Sequence, residues 1–371
     1  MPLHNTAEPP RKDRFDAFLT SRARRMIGTP QSRRLFTAVL IGSELRLGDE
    51  GKVRVDSTRA ALVRVGIVGA GRSRNGCGPF LAQFLESEGF FVTGVSGRSL
   101  DRATANAQAI GRQLGHQVEP FACPVALCAS GLAALVIASP PEFHLEALRA
   151  ALQAGLPALC EKPIVHEKHG EEGAEVVEAF ARKRLPLLEN CQWPHVLSAF
   201  FQLHRPVGSG EQLRVEMGLG APRSGREMVE NTLSHLLSVI QAVATVPSNA
   251  AVTEVSVVDP SYRSTHNCVH FRLVAPGRTI EGLLHLDIHA VMPRSAWLAV
   301  NGSRIDRQVG PGYSIAFAAN GKKVPVKDPV EQVVKRFALL VRSRDAALID
   351  DDCNRIRQRL GWYRRILDKL E

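Results

Sequence analysis

A glycine turn and a lysine carry most of the chemistry legible in this chain. Val63-Arg64-Val65-Gly66-Ile67-Val68 runs into Gly69-Ala70-Gly71, and ninety residues later comes Glu161-Lys162-Pro163. An apolar strand that ends in a glycine turn is a grip for a dinucleotide pyrophosphate. The first glycine permits the tight turn, and the second lets the backbone approach the phosphates above a helix N-terminus. Lys162 follows Pro157-Ala158-Leu159-Cys160, a later strand expected in the same sheet. Parallel strands end at one edge, where open α/β folds bind their ligands. A cofactor and an acid/base lysine are therefore expected to meet there.

The turn lies between a strand and a helix, the context that gives a glycine motif its meaning. The third glycine departs from the usual spacing: Gly76 or Gly78 must take its place, and the loop is longer by about two residues or more. Cofactor contacts are expected from Gly69, Gly71, Arg72, Ser73, Arg74 and Gly76. NAD calls for an acid at the end of the second strand, to bond the ribose 2′-hydroxyl. That position reads Val95-Ser96-Gly97-Arg98-Ser99, with no acid before Asp101. Arg98 offers a planar fork matched to a 2′-phosphate, and Ser99 a hydroxyl beside it. NADP is thus expected in preference to NAD.

The elements that must position these residues follow a βαβ rhythm. Strands are expected at 63–68, 90–95, 133–138, 157–160 and 185–190, with helices at about 78–88, 101–114 (Ser99 as N-cap), 142–154 (closed by Gly155) and 167–183. After Cys191 the segments 214–218, 252–258, 269–274, 279–289 and 296–300 alternate as antiparallel strands do, around one helix at about 226–244. Helices 329–342 and 350–370 close the chain. Four parts are expected: an extension over 1–62, an α/β dinucleotide-binding domain over 63–190, an α+β domain over 191–328, and C-terminal helices over 329–371 that pack back on the chain. In the extension, 14–26 has helical character and a hairpin is expected around Gly48–Gly51.

Composition narrows the function classes. A chain of 371 residues, 44% hydrophobic, supports two cores, and no apolar run reaches membrane-spanning length. The seven cysteines are an odd number without a CxxC pair, as expected of reduced thiols in a cytoplasmic protein. The net charge of +10 is spread out; residues 1–60 hold 12 Lys/Arg against 7 Asp/Glu, and only 6% of the chain is aromatic. Nucleic acid is not an expected partner. His166 with His169, and His285 with His289, lack a supporting ligand set, so no metal site is expected.

Together Gly69-Ala70-Gly71, Val136-Ile137-Ala138-Ser139-Pro140-Pro141-Glu142-Phe143-His144, Ala151-Leu152-Gln153-Ala154-Gly155 and Glu161-Lys162-Pro163 make the chain resemble the Gfo/Idh/MocA oxidoreductases over about 63–345. The resemblance implies a fold of class α/β, an N-terminal Rossmann doubly wound parallel sheet followed by an α+β domain with a large open, mainly antiparallel sheet. It also implies a homodimer or tetramer formed through that open sheet. The implied reaction is hydride transfer between the nicotinamide and a carbinol carbon of a sugar, cyclitol or polyol.

By the same resemblance Lys162 lies beside nicotinamide and substrate, Glu161 near the nicotinamide ribose, and Ser139, Pro140 and His144 along the cofactor edge, His144 also opening a helix. An aspartate and a histidine four residues apart mark the family; here the stretch is Asn231-Thr232-Leu233-Ser234-His235. Positions i and i+4 share a helix face, so both would point at one substrate. The asparagine departs from the family pattern and shifts acid/base weight from His235 to Lys162. Gln192 and Trp193 are candidate substrate contacts, Trp193 equally a core residue at the domain junction. The same site would serve an imine reductase, a non-catalytic NADP-binding sensor or scaffold, or a redox-assisted lyase or glycosidase.

Overall fold

The computed structural model describes residues 45–47, 53–55, 62–71, 77–204, 212–221, 224–289 and 291–370. Its contacts divide the chain into residues 1–61 and 62–371. In the first unit Leu45–Leu47 (β1) pairs antiparallel with Val53–Val55 (β2), Leu45 opposite Val55, the hairpin expected around Gly48–Gly51. The helical stretch read at 14–26 lies outside the described residues.

The second unit opens with Val63–Val68 (β3), Gly78–Ser87 (α1), Phe90–Ser96 (β4), Leu100–Leu114 (α2), Glu119–Phe121 (β5), Pro124–Cys128 (α3), Ala134–Ile137 (β6), His144–Gln153 (α4), Ala158–Cys160 (β7), Gly170–Arg182 (α5) and Leu187–Glu189 (β8). The six strands form one parallel sheet in the order β5-β4-β3-β6-β7-β8. This is the doubly wound order whose reversal beside β3 opens a crevice at the strand ends. Strands β6 and β7 are buried throughout because helices cover both faces. The sequence pattern missed β5: Glu119-Pro120-Phe121 is an edge strand with two of its three residues exposed and a proline inside, so no hydrophobic period marks it.

Leu197–Leu203 (α6) leads to Gln212–Ala221 (β9), Arg226–Glu230 (α7), Leu233–Val243 (α8), Ala251–Val257 (β10), His266–Ala275 (β11), Arg278–Ile288 (β12), Ala296–Val300 (β13), Ser303–Val309 (β14), Ile315–Ala319 (β15) and Lys322–Val326 (β16). The eight strands order as β10-β11-β12-β9-β13-β14-β15-β16, antiparallel except for β12 with β9. Leu213, Val215, Met217 and Leu219 bury one face, while Arg214, Glu216, Gly218 and Gly220 stand on the other. On that second face Trp297 lies across Gly218, where a Cβ would come within 1.9 Å of the indole, and Arg304 stacks over the indole at 4.2 Å.

Two helices end the chain. Pro329–Ser343 (α9) starts at the N-cap Asp328 and sets Phe337 against Phe90, ring centroids 6.0 Å apart. Ala346–Asp368 (α10) starts at the N-cap Asp345 and packs on α5, α8 and β8.

One expected element is corrected. The helix read over 226–244 is two helices, α7 and α8, separated by a turn at 231–232. The Thr232 hydroxyl bonds the carbonyl of Met228 at 2.5 Å, while the Thr232 amide goes to Val229. Such back-bonding competes with the helix ladder. Strands β14 to β16 were also not read from the sequence: β14 and β16 carry exposed polar residues, and β15 is an apolar run of only five residues.

Candidate active site

The glycine turn is built for close approach. Gly69 has φ +80°, and a Cβ there would sit 2.4 Å from the Ser139 Cα, so only glycine fits without strain. Its amide bonds the Ser96 carbonyl at 2.9 Å, which fastens the turn to the end of β4. A Cβ on Gly78 would lie 2.7 Å from the Ala70 Cα, so the third glycine role, close packing of helix on turn, falls to Gly78. Gly71 leads into Arg72, Ser73, Arg74 and Gly76, which lie outside the described residues. The hydroxyls of Ser96 and Ser139, both buried at this edge, have no hydrogen-bond partner. Buried orphans of this kind point to a missing polar group. A dinucleotide held by the glycine turn fits that demand.

At the adenosine end Arg98 is exposed, its guanidinium 5.6 Å from the centre of the Phe143 ring. Ser99 caps α2, its Oγ accepting the Arg102 amide at 3.4 Å. Gly97 stands between Ser96 and Arg98 without a side chain, so this turn presents no carboxylate of its own.

The other end is held from several directions. Glu161 Oε1 accepts the Cys77 thiol at 2.7 Å and also the amide of Asn190. Burial, then the Glu161 charge, pushes the Cys77 thiol well up, so it stays a donor. The imidazole of His144 is fully buried between two loops. Its Nδ1 lies 2.9 Å from the Pro163 carbonyl and its Nε2 2.7 Å from that of Ser139. Burial lowers its pKa against those carbonyls. His144 thus braces the loops after β6 and β7, with both ring nitrogens engaged by backbone. Pro140 begins the turn of 3₁₀ helix that leads into α4.

Lys162 crosses to the second sheet's helices, where Nζ donates to the Asn231 carbonyl at 2.7 Å. The helix break explains why that carbonyl is free. In a continuous helix it would accept the His235 amide, which instead bonds the Thr232 carbonyl at 2.9 Å. The expectation that Asn231 and His235 share one helix face therefore fails. Asn231 ends α7, and its backbone carbonyl meets the lysine.

His235 stands in the first turn of α8, buried, its Nδ1 without a partner. Burial holds its pKa well below the usual value, and the charges of Lys162, Arg359 and Arg307 act the same way. It is a neutral imidazole beside an ammonium. The structure thus brings together Glu161, Lys162, His235 and the Asn231 carbonyl, with Arg98 and Ser99 apart at the other end.

Gln192 is half-buried and opens a 3₁₀ turn. Trp193 is inter-domain core, its ring edge-on to Phe317 at 6.0 Å. The other histidines have local roles: His166 caps a turn, and His169 and His285 pair with Glu172 and Glu216. Among the described residues no group of three or more ligands could hold a metal.

Sequence reasoning missed a buried pair beneath the site. Arg359 on α10 donates to Glu189 Oε2 at 2.7 Å, and Glu189 Oε1 accepts the Ile164 amide at 3.1 Å. The loop that carries Lys162 is thereby tied to the C-terminal helix. Polar Glu189-Asn190 at the end of an apolar strand was the available signal.

Comparison with known proteins agrees with the fold. Residues 63–190 match the Gfo/Idh/MocA oxidoreductase family with its NAD-binding Rossmann fold. Inositol 2-dehydrogenase of Corynebacterium glutamicum is 30% identical over 225 residues, which make up 58% of this chain and 61% of that protein. The chain thus spans about three fifths of that relative's length. Among solved structures, a variant of the 3-ketoreductase KijD10 from Actinomadura kijaniata, in complex with TDP-benzene and NADP, superposes with a TM-score of 0.60. It is 16% identical, over 83% of this chain and 97% of that one. An oxidoreductase from Agrobacterium radiobacter in complex with NAD+, L-tartaric acid and magnesium gives 0.55 at 14% identity, over 81% and 94%. Both share the two-sheet fold described above. With its glycine turn, strand order and Glu161-Lys162-Pro163 edge, the segment 63–190 is similar to the NAD-binding Rossmann domain of the Gfo/Idh/MocA oxidoreductases.

Proposed function

We propose that this protein is an NADP-dependent oxidoreductase acting at a carbinol carbon of a sugar, cyclitol or related polyol, or on the corresponding carbonyl. The observation that carries the reading is the meeting of the Lys162 ammonium with the Asn231 carbonyl beside the neutral, partnerless Nδ1 of His235. The dinucleotide, when bound, supplies the site that takes up or releases hydride. Gly69 and Gly71 would hold its pyrophosphate with Ser139, Arg98 and Ser99 its adenosine phosphate, and Glu161 its nicotinamide ribose. Arg72, Ser73, Arg74 and Gly76 belong to the same proposed set.

The chain's own residues manage the proton. Lys162 donates to the substrate oxygen in the reductive direction, the Asn231 carbonyl orienting its ammonium. In the oxidative direction the hydroxyl proton is accepted or relayed by His235, neutral and unpartnered at Nδ1. The match to inositol 2-dehydrogenase supports a polyol substrate. A cytoplasmic setting is part of the reading, supported by seven free cysteines. So is a homo-oligomer joined through the outer face of the eight-stranded sheet. No described helix is long and apolar enough to cross a membrane.

The test is Lys162→Met, assayed for NADP-linked turnover across a panel of polyols and for NADPH binding by fluorescence. Turnover should fall by roughly 10²–10⁴ while NADPH affinity is retained. Full activity in this variant would remove Lys162 from the chemistry.

A further inference from the structure

Arg307 is a half-buried arginine that makes no close ion pair among the described residues. On β14 it lies two residues from the core residue Ile305, so both side chains share the inner face of the sheet. Its register partner is Phe317, whose ring meets Trp193 just past Gln192 at the end of β8. That places Arg307 at the seam between the second sheet and the candidate active site. Its charge is one of three that hold His235 neutral.

The hydrogen bonds of this guanidinium are incomplete. One terminal nitrogen donates to the Arg294 carbonyl at 2.8 Å, while Nε is buried and has no partner. Three groups act on it from neighbouring segments: Tyr313, Arg294 and Asp328. Arg294 repels it. Asp328 attracts it from beyond ion-pair distance, and also caps α9 through the Val330 amide at 2.9 Å. Arg359, a buried arginine near His235, differs because Glu189 neutralises it at 2.6 Å. An arginine cannot shed its proton, and a guanidinium N–H withdrawn from water without an acceptor is unfavourable. Such a group is kept where a ligand completes it.

We propose that Arg307 is an anion-recognition residue of this site, and that the substrate is a polyol bearing a carboxylate or phosphate. The planar fork suits either group through paired N–H···O bonds. Lys162 and Arg294 add to the positive field, and neutral His235 does not oppose it. The proposal rests on the oxidoreductase reading for the identity of the crevice, but it concerns binding rather than turnover.

Wild type, Arg307→Gln and Arg307→Lys, each saturated with NADPH, are titrated with D-glucuronate, glucose 6-phosphate and D-glucose by calorimetry. Wild type should bind the acid or the phosphate roughly 10- to 100-fold more tightly than glucose. Arg307→Gln should erase that preference, and Arg307→Lys should keep only part of it. NADPH affinity should be equal in all three proteins.

Glucose binding as tightly as both anions, or no binding of any of the three, would overturn the proposal. So would a preference that survives in Arg307→Gln. A loss of NADPH affinity in that variant would assign the guanidinium to the cofactor pyrophosphate and overturn it equally. Should Arg307→Gln fail to fold by circular dichroism, an undiminished preference in Arg307→Lys decides against the idea. If the anion binds through Arg307 yet no polyol is oxidised with NADP+, the oxidoreductase reading fails while this one stands.

Discussion

The two ends of the candidate cofactor edge are built differently. At the adenosine end Arg98 is exposed and touches one ring, and the other polar groups come from the same βα turn. At the Lys162 end, Glu161, Lys162 and Ile164 are held by residues from α1, the β8 edge, the α7–α8 break and, through Glu189, α10. A charge that only has to grip a phosphate can stay solvated and adjustable. A group that must move a proton has to be held to within a fraction of an ångström, which takes contacts from several elements.

On that contrast, cutting beneath the Lys162 end should do most harm. Glu189→Ala leaves the buried Arg359 charge unpaired and the Ile164 amide without an acceptor. It should lower stability by about 3–5 kcal/mol, read from denaturant unfolding. An effect below 1 kcal/mol would mean that water or another group already serves Arg359.

Arg98→Asp probes the exposed end. On the NADP reading it should raise the KM for NADPH by roughly 10- to 100-fold and that for NADH far less. Its melting temperature should be unchanged, because the side chain is solvated. Equal effects on both cofactors would end the NADP assignment and blur the contrast.

The smallest expected effect sharpens the comparison with pH. Glu230, the residue before Asn231, has its carboxyl pushed up to about 7, by burial first and then by the hydrogen bond and charge of Glu167. Arg226 bridges both carboxylates. The native state therefore keeps a proton that the unfolded chain loses above about 4.5. Stability should decline as pH rises from about 4.5 to 7. Glu230→Gln should flatten that slope in melting curves taken across the window; an unchanged slope would exclude Glu230 as its source.

Much of the first domain could be read directly. The runs 63–68 and 133–138 are apolar because helices cover both faces of the sheet, and Ser99 marks a helix start by its own hydroxyl. Edge strand β5 and strands β14 and β16 escaped because their exposed residues carry no period, and β15 because an apolar run of five residues does not by itself tell strand from helix. The break at 231–232 escaped because Thr232 is tolerated within a helix; its hydroxyl bond to Met228 is what decides.

From the sequence alone came the glycine turn, the parallel strand rhythm and Lys162 at a strand end. All are local, since backbone freedom at Gly69 and the burial of neighbouring residues leave their mark within a few positions. Only the tertiary structure decided that Lys162 meets a carbonyl freed by a helix break, that Gly78 is the third glycine, and that the Arg307 Nε is left without a partner. The reason is physical: a buried charge is defined by what surrounds it, and those surroundings come from segments up to 170 residues apart.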